Sequence, residues 1–342
     1  MTDVTPSIST ISEFLLHAGT EYIIIDVSRG KHVFDPQDFF DIENHKAPFP
    51  RARQGKAWLC IMFWNRKLNN EHYIWYLSLP LDERSLLQSA ARDQFLQIVV
   101  DALGQSLEKT QETDKGLPEN PYIFTPNQQL LADCNALLKK RLAFDLSDEA
   151  IKAKDYLTKP NGSNWESLSV QNISDAVVML SEIELSNLLD SDLQTLPSPV
   201  LNCLLSSLES IKLNTQQTNA LITFFNTQEG NTKALALRAL AHGDLETLKA
   251  LIDDIVRSEE VLDVELLVVI AGRHWHYFNH DDRVLNYFHK VAEASPDFTL
   301  FKGVFADLVM LPEVRAYLLR FLKNEQQTPL TKRAIQELIK IS

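Results

Sequence analysis

Residues 57–64, AWLCIMFW, are continuously apolar and give the strongest β signal in the chain. An apolar run of this length between polar segments is typical of a strand that is buried on both faces. A polar segment with an Asn69-Asn70 turn follows, and residues 72–79, HYIWYLSL, predict a second strand. The two runs therefore predict a β-hairpin with a long loop.

The sequence on either side of this hairpin predicts an α+β domain over residues 1–104. Before the hairpin we expect alternating short elements, namely a helix over 8–18, strands over 22–27 and 31–34, and a helix over 36–42. After the hairpin, residues 83–104 carry one apolar stripe at helical spacing, with Asp82 as the N-cap and Gly104 at the position of a helix stop. This helix should lie across the sheet, because a hairpin alone is only marginally stable in water.

The segment 105–125 changes in character and separates this domain from the rest of the chain. It is polar and charged and contains one glycine and two prolines, which predicts a linker or an exposed loop. Residues 126–342 then show helical periodicity almost throughout. Several predicted helices start with a cap residue followed by proline, as at Ser198 and Thr328.

The predicted helices of this second region follow one another at regular intervals. Taken two at a time, they start near residues 171, 198, 231, 262, 297 and 328. Steps of roughly 27–35 residues are typical of helical solenoids, in which each helix pair buries its apolar face against the next pair. The predicted class is therefore an α+β N-terminal domain followed by an all-α, HEAT-like helical-repeat C-terminal domain. An irregular helical domain is the alternative.

Charge is distributed unevenly along the chain. With 33 basic and 46 acidic residues the formal net charge is −13, which argues against a strongly basic nucleic-acid binder. Residues 161–270 hold 16 acidic and 5 basic residues. The adjacent pairs Asp253-Asp254 and Glu259-Glu260 diverge on a helix, so they predict a solvated acidic face rather than a catalytic pair. Such a face either docks a basic partner or serves solubility alone.

A basic segment flanks the apolar strand at both ends, since no acidic residue lies between Glu43 and Glu71. The candidate binding patch consists of Arg51, Arg53, Lys56, Arg66 and Lys67. Together with Trp58 and Trp64, these cations could meet phosphates and stacked bases. The other interpretation is a pair of charged loops at the ends of a buried strand, with both tryptophans in the core.

The spacing of the glycines excludes several catalytic and nucleotide-binding motifs. Only 10 glycines occur and no two lie closer than 11 positions, so GxxxxGK[ST], GxGxxG and GxSxG are all excluded. No catalytic residue and no cofactor site is predicted. The three cysteines, Cys60, Cys134 and Cys203, lie among apolar neighbours without a CxxC motif and are predicted to be small buried side chains.

A group of four histidines is the best metal candidate, and it comprises His274, His276, His280 and His289. His276 and His280 are four positions apart, the spacing of a zinc-binding pair on one helix face. The sequence Asn-His-Asp-Asp at 279–282 instead predicts a turn and a helix cap that break the helix between the two. We therefore expect ordinary surface and packing histidines and no metal site.

No targeting or membrane segment is predicted. The N-terminus has an acid at Asp3 and no basic residue before Arg29, unlike a secretory signal. The longest apolar runs are far shorter than the roughly 20 residues that span a bilayer. Together with three unpaired cysteines, these features predict a cytoplasmic protein.

The N-terminal third carries the segments EFL and YIIIDVSR, residues 34–40, PFPRARQGKAWLCIMFWN, and HYIWYLSLPLDERSLLQSAARDQFL. Their resemblance is to a bacterial family of cytoplasmic proteins known only as a domain of unknown function. It is strongest over residues 48–95, where LPLDERSLLQSAARD at 79–93 is the most distinctive piece, and it extends over nearly the full length. The resemblance implies nothing about activity, and no catalytic or ligand-binding residue follows from it.

These observations favour a non-enzymatic protein-interaction protein, a scaffold or adaptor with a protein partner on its acidic helical surface. Extended helical arrays expose long surfaces that bind other macromolecules. One alternative is an RNA-associated or nucleoprotein-associated protein that uses the basic patch. A second alternative is an enzyme with a site between the two domains. The sequence leaves the oligomeric state open.

Overall fold

The computed structural model describes residues 9–65, 72–108, 117–160 and 164–340. The chain forms two compact units. Unit 1 comprises Met1–Thr125 together with Met310–Pro312, and unit 2 comprises Pro126–Val309 together with Glu313–Ser342. The described chain therefore has a small antiparallel sheet near its N-terminus, followed by a region in which all regular elements are helical.

Unit 1 is built on a four-stranded antiparallel sheet with the order β2-β1-β3-β4. The strands are β1 (Glu21–Asp26), β2 (His32–Val33), β3 (Lys56–Trp64) and β4 (His72–Pro80). The predicted hairpin is confirmed as β3 and β4, and β3 also pairs with β1, so it is an inner strand of the sheet. Its two faces are both buried, with Leu59 and Ile61 on one face and Cys60 and Met62 on the other. This explains why the run is continuously apolar.

Three helices accompany the sheet, namely α1 (Ile11–His17), α2 (Pro36–Glu43) and α3 (Ser89–Glu108). The main core of unit 1 lies between these helices and one face of the sheet. From α3, Phe95, Leu96 and Val99 enter this core, and the Phe95 ring meets the Trp75 ring edge to face with centroids 5.5 Å apart. The predicted packing of a helix across the sheet is confirmed.

The predicted bounds of this helix, 83–104, are wrong at both ends. The Asp82 carboxylate accepts hydrogen bonds from the backbone N–H groups of Arg84 and Leu86, at 2.9 and 2.8 Å, and so closes a local turn instead of capping a helix. Ser85 in this turn has a φ of 65°, which no α-helix allows. The helix starts only at Ser89, and it continues through Gly104 to Glu108.

Part of the predicted linker 105–125 lies against the sheet, while residues 109–116 are outside the described part of the chain. The Ser78 N–H donates to the carbonyl of Tyr122 at 2.7 Å, and the Phe124 N–H donates to the carbonyl of Tyr76 at 3.0 Å. The Phe124 ring also packs edge to face on Trp58. Residues 122–124 therefore extend the sheet of unit 1 beyond β4.

Unit 2 has 13 α-helices among its described residues and no strand there. They are α4 (Gln128–Arg141), α5 (Asp148–Thr158), α6 (Val170–Val178), α7 (Glu182–Asn187), α8 (Ser198–Leu208), α9 (Thr215–Asn226), α10 (Gly230–Ala239), α11 (Leu245–Arg257), α12 (Val264–Arg273), α13 (Asp281–Ala294), α14 (Thr299–Leu308), α15 (Arg315–Phe321) and α16 (Pro329–Ile339). The predicted cap at Thr328 is confirmed. The predicted cap at Ser198 is wrong, because Pro197 is the N-cap and Ser198 already lies in the helix. Pro199 is tolerated one position later, since the first-turn N–H groups have no intrahelical partner.

The helices of unit 2 contact one another in a regular order. Each even-numbered helix contacts the next even-numbered one, from α4 through α6, α8, α10 and α12 to α14. The odd-numbered helices do the same from α7 through α9, α11 and α13 to α15. Helices two apart in the chain are therefore neighbours in space, as in a stack of helical pairs.

A buried polar network joins α4, α6 and α8. The amide nitrogen of Gln129 donates to the hydroxyl oxygens of Ser174 and Ser207 at 3.2 and 3.0 Å. The Ser207 hydroxyl in turn donates to the Asp133 carboxylate at 2.7 Å. Because buried polar groups must keep their hydrogen bonds, this network fixes the longitudinal position of the three helices.

Candidate functional site

Unit 2 carries a groove of about 690 Å³ between α9, α10, α11 and the loop that leads into α12. Its lining residues come from α9, α10, α11, α12 and the loops between them, and they are Asn219, Ile222, Phe225, Asn226, Glu229, Gly230, Lys233, Thr247, Leu251, Asp254, Ile255, Ser258, Glu260, Val261, Leu262, Asp263 and Leu266. We call this concavity the acidic groove.

The floor of the acidic groove is apolar. Phe225 of α9, Leu251 of α11 and Leu266 of α12 are each buried, and one side chain from each helix thus contributes to it. At the edge of the groove, Val261 is 70% exposed. This side chain offers apolar surface that the described chain itself leaves uncovered.

The rim of the groove is negatively charged. Glu229, Asp254, Glu260 and Asp263 are all exposed lining residues. Within the described ranges none of their carboxylates takes part in an ion pair, whereas the Asp263 carboxylate accepts the backbone N–H of Glu265 as the cap of α12. Lys233 is the single basic lining residue, and its ammonium lies 5.1 Å from the centre of the Phe225 ring. The groove therefore combines an uncompensated negative rim with an apolar and aromatic floor.

The loop at one side of the groove is fixed from below by α13. The ammonium of Lys290, which is 7% exposed, donates to the backbone carbonyl of Glu260 at 3.1 Å. The same ammonium pairs with Glu293 at 3.1 Å. A buried cation thus ties the loop to the helix behind it.

An ionic cluster around a buried carboxylate connects α8, α10 and α12. Glu209, at the end of α8, is 1% exposed, and its carboxylate binds Arg238 of α10 at 2.8 Å and also binds Arg273 of α12. His274 follows directly and forms a 2.9 Å hydrogen bond with the carbonyl of Leu237. Burial lowers the pKa of His274 to about 4, and the Arg273 charge acts in the same direction.

A protein-family model described as a protein of unknown function (DUF3549) matches residues 6–339 of the chain. The chain belongs to the DUF3549 family. The resemblance that the N-terminal segments indicate is thereby confirmed, and it covers both units. No curated protein and no solved structure matches the chain.

The basic patch is only partly assembled in this DUF3549 protein. Arg53 lies over the Trp58 ring at 4.5 Å and Lys56 lies 5.8 Å from its centre. Arg51 instead forms a 2.6 Å ion pair with the fully buried Asp26. Burial raises the pKa of the Asp26 carboxyl, and the Arg51 charge opposes this rise. Arg66 and Lys67 lie outside the described residues.

The tryptophans beside this patch have different environments. Trp64 is buried, whereas Trp58 is half-buried between Phe124 and the Arg53 side chain, and its indole N–H donates to the Arg53 carbonyl. The prediction that both tryptophans lie in the core therefore holds for Trp64 and only in part for Trp58. Two cations lie over the Trp58 ring.

The four histidines of the DUF3549 chain have four different environments. His274 is buried, His276 bonds Glu313 at 2.9 Å, His280 is the N-cap of α13, and His289 lies 3.2 Å from Glu293. The predicted turn and cap at 279–282 are confirmed. Among the residues that the structure describes, no three histidines, cysteines, aspartates or glutamates converge in a way that could hold a metal ion.

The three cysteines match the prediction, whereas one of the adjacent acids does not. All three cysteines are free and buried, as predicted, and burial raises the pKa of Cys203 to about 11. The prediction of a solvated acidic face is wrong for Asp253, which is half-buried and accepts a 2.8 Å hydrogen bond from the Tyr277 hydroxyl. Its neighbour Asp254 diverges from it and lines the groove. None of the described helices is long and apolar enough to cross a lipid bilayer.

Proposed function

We propose that this DUF3549 protein is a non-enzymatic interaction protein, a scaffold or adaptor, whose HEAT-like helical array docks a protein partner on its acidic surface. The observation that carries the proposal is the acidic groove, a concavity of about 690 Å³ whose rim carboxylates have no cationic partner in the described chain. The regular order of helix contacts supports a repeat array, in which each pair covers the apolar face of the next.

Electrostatics gives this surface a role in partner choice. Residues 161–270 carry a net charge of −11, from 16 acidic and 5 basic residues, and they include the whole groove lining. A surface of one sign accelerates encounters with a partner of the opposite sign and repels other partners. We therefore expect the interaction to weaken steeply with salt, because exposed charges are screened over about 8 Å at physiological ionic strength.

The proposal is tested by affinity capture with the full chain, followed by cross-linking. At about 50 mM salt we expect one or a few proteins to be retained, and to be released when the salt is raised about tenfold. Cross-linked peptides should map to residues 161–270. Repeated failure to enrich any protein at low salt would contradict the proposal, as would cross-links confined to residues 9–125.

The alternative function is nucleic-acid association through the basic patch. Arg53 and Lys56 over the half-buried Trp58 favour it, since cations beside an aromatic ring are typical of single-strand binding. The double substitution Arg53→Gln and Lys56→Gln is then expected to weaken binding of a labelled single-stranded RNA about tenfold at about 50 mM salt. Fluorescence anisotropy measures the binding. If the unsubstituted protein does not bind the RNA, nucleic-acid association is ruled out.

A further inference from the structure

We infer that the acidic groove binds a basic amphipathic segment of the protein partner, an apolar side chain of which packs on the groove floor while its lysine or arginine side chains meet the rim carboxylates. This inference rests on the proposed function and names the chemistry of the partner. Four properties of the groove carry it, namely its size, its floor, its charge and its rigidity.

The size of the groove suits several side chains rather than a single ion. At about 690 Å³ it lies within the range of roughly 300–1,000 Å³ that ligand-binding clefts occupy. Its lining comes from α9, α10, α11, the loop before α12 and α12 itself, so the concavity runs across several helices. An amphipathic helix or an extended segment lies in such a groove with its apolar face inward.

The floor offers an anchor point for apolar side chains. The buried Phe225, Leu251 and Leu266 form its base, and Val261 at the edge is 70% exposed. Apolar surface in a concavity is where the residues that dominate a protein interface dock, because they are fully removed from water there. A partner segment therefore needs at least one large apolar side chain directed into the groove.

The charge of the rim selects a cationic segment. The carboxylates of Glu229, Asp254 and Glu260 have neither an ion pair nor a hydrogen bond among the described residues, so an incoming cation breaks no existing contact. Lys233 already places its ammonium 5.1 Å from the centre of the Phe225 ring. Because Lys233 already occupies this ring, the partner's cations are expected at the rim carboxylates and not over Phe225.

The groove is also held in one shape before a partner arrives. Lys290 binds the Glu260 carbonyl and so holds the rim loop against α13. A loop that is already ordered loses less conformational entropy on binding. Lys290 is therefore a positioning residue, which acts on the partner through the loop and not by direct contact.

The test uses a fluorescein-labelled helical peptide of roughly 14 leucine and lysine residues in an amphipathic pattern. Its binding to the full chain is followed by fluorescence anisotropy at about 50 mM salt. We expect saturable binding that the double substitution Asp254→Lys and Glu260→Lys weakens at least about tenfold. A peptide with glutamate in place of lysine should not bind.

The matched control is the double substitution Glu166→Lys and Glu246→Lys, which changes the net charge by the same amount at exposed positions outside the groove. It should leave the dissociation constant within about twofold, whereas Val261→Ser at the groove edge should raise it several-fold. Equal weakening by the groove and control variants would overturn the inference, and so would absence of saturable binding. Circular dichroism confirms that each variant is folded.

The inference and the proposed function can fail separately. If the partner captured from cells still binds the Asp254→Lys, Glu260→Lys variant, the groove is not its docking site, although the protein remains an interaction protein. If the peptide binds the groove but no partner is captured, the proposed function fails. A peptide that binds with unchanged affinity after Val261→Ser would show that charge alone holds it, which contradicts the amphipathic character that we infer.

Discussion

Replacing Glu209 by glutamine is expected to lower the free energy of unfolding by about 3 kcal/mol, as measured for other buried ion pairs that lose one partner. The Glu209 carboxylate is almost completely buried and holds the guanidinium groups of Arg238 and Arg273. Glutamine keeps the size and one acceptor oxygen but removes the charge. Arg273, whose side chain is only 14% exposed, then remains largely buried without an anionic partner.

Urea-induced unfolding followed by far-ultraviolet circular dichroism measures this effect, because the helices that dominate the signal belong mainly to unit 2. The control is Glu246→Gln, since the Glu246 side chain is 80% exposed and pairs with Lys249. This variant should differ from the unsubstituted protein by less than about 0.5 kcal/mol. A Glu209→Gln variant as stable as this control would show that the ionic cluster contributes nothing to the fold.

Lowering the pH from 7 to 4 is expected to remove about 3 kcal/mol of stability through His274 alone. In the folded protein the pKa of His274 is about 4, against 6.5 for an ordinary histidine. Below pH 6.5 the unfolded chain therefore binds a proton that the folded chain excludes, so acid favours unfolding. The stabilisation is fully present above pH 6.5 and is lost progressively as the pH falls through 4.

The contribution of His274 is isolated by measuring how the free energy of unfolding depends on pH in the unsubstituted protein and in His274→Gln. Glutamine can still donate a hydrogen bond to the Leu237 carbonyl but does not titrate. Its free energy of unfolding should therefore fall less steeply between pH 6.5 and pH 4. Identical slopes for His274→Gln and the unsubstituted protein would contradict the assignment.

The strands could be predicted from the sequence because the apolar run 57–64 is buried on both faces. The start of α3 could not, because the Asp82 carboxylate satisfies two nearby backbone N–H groups and so stabilises a turn that competes with the helix. Helix periodicity begins inside that turn and gives no sign of the competition. The bounds of a helix depend on such local hydrogen bonds more than on its apolar stripe.

The acidic groove could not be predicted from sequence patterns, for a different reason. The residues of the acidic groove extend from Asn219 to Leu266, and their convergence depends on how α9, α10, α11 and α12 stack. The bonds of Glu209 to Arg238 and Arg273 likewise span 29 and 64 positions. The acidic excess of residues 161–270 could be read directly, but not which of its members share a concavity. Asp253 is half-buried and bonded to Tyr277, whereas the adjacent Asp254 is exposed and lines the groove.

The basic patch illustrates the same limit. Five cations lie close together in the sequence, yet Arg51 is withdrawn from any shared surface by the buried Asp26, which is 25 positions earlier in the chain. Asp26 ends β1 opposite Leu59 of β3, whereas Arg51 lies in the segment that precedes β3. A cluster in sequence therefore becomes a cluster on the surface only where no buried partner intervenes.

The hydrogen bonds that join α4, α6 and α8 make these helices non-interchangeable. In an array of identical modules, a further copy can be inserted at any point without loss. Here, a duplicated helical pair between α6 and α8 would carry the Ser207 hydroxyl away from the Asp133 carboxylate, to which it is bonded at 2.7 Å. Insertion of a helical pair at this point would therefore break hydrogen bonds that join three non-consecutive helices.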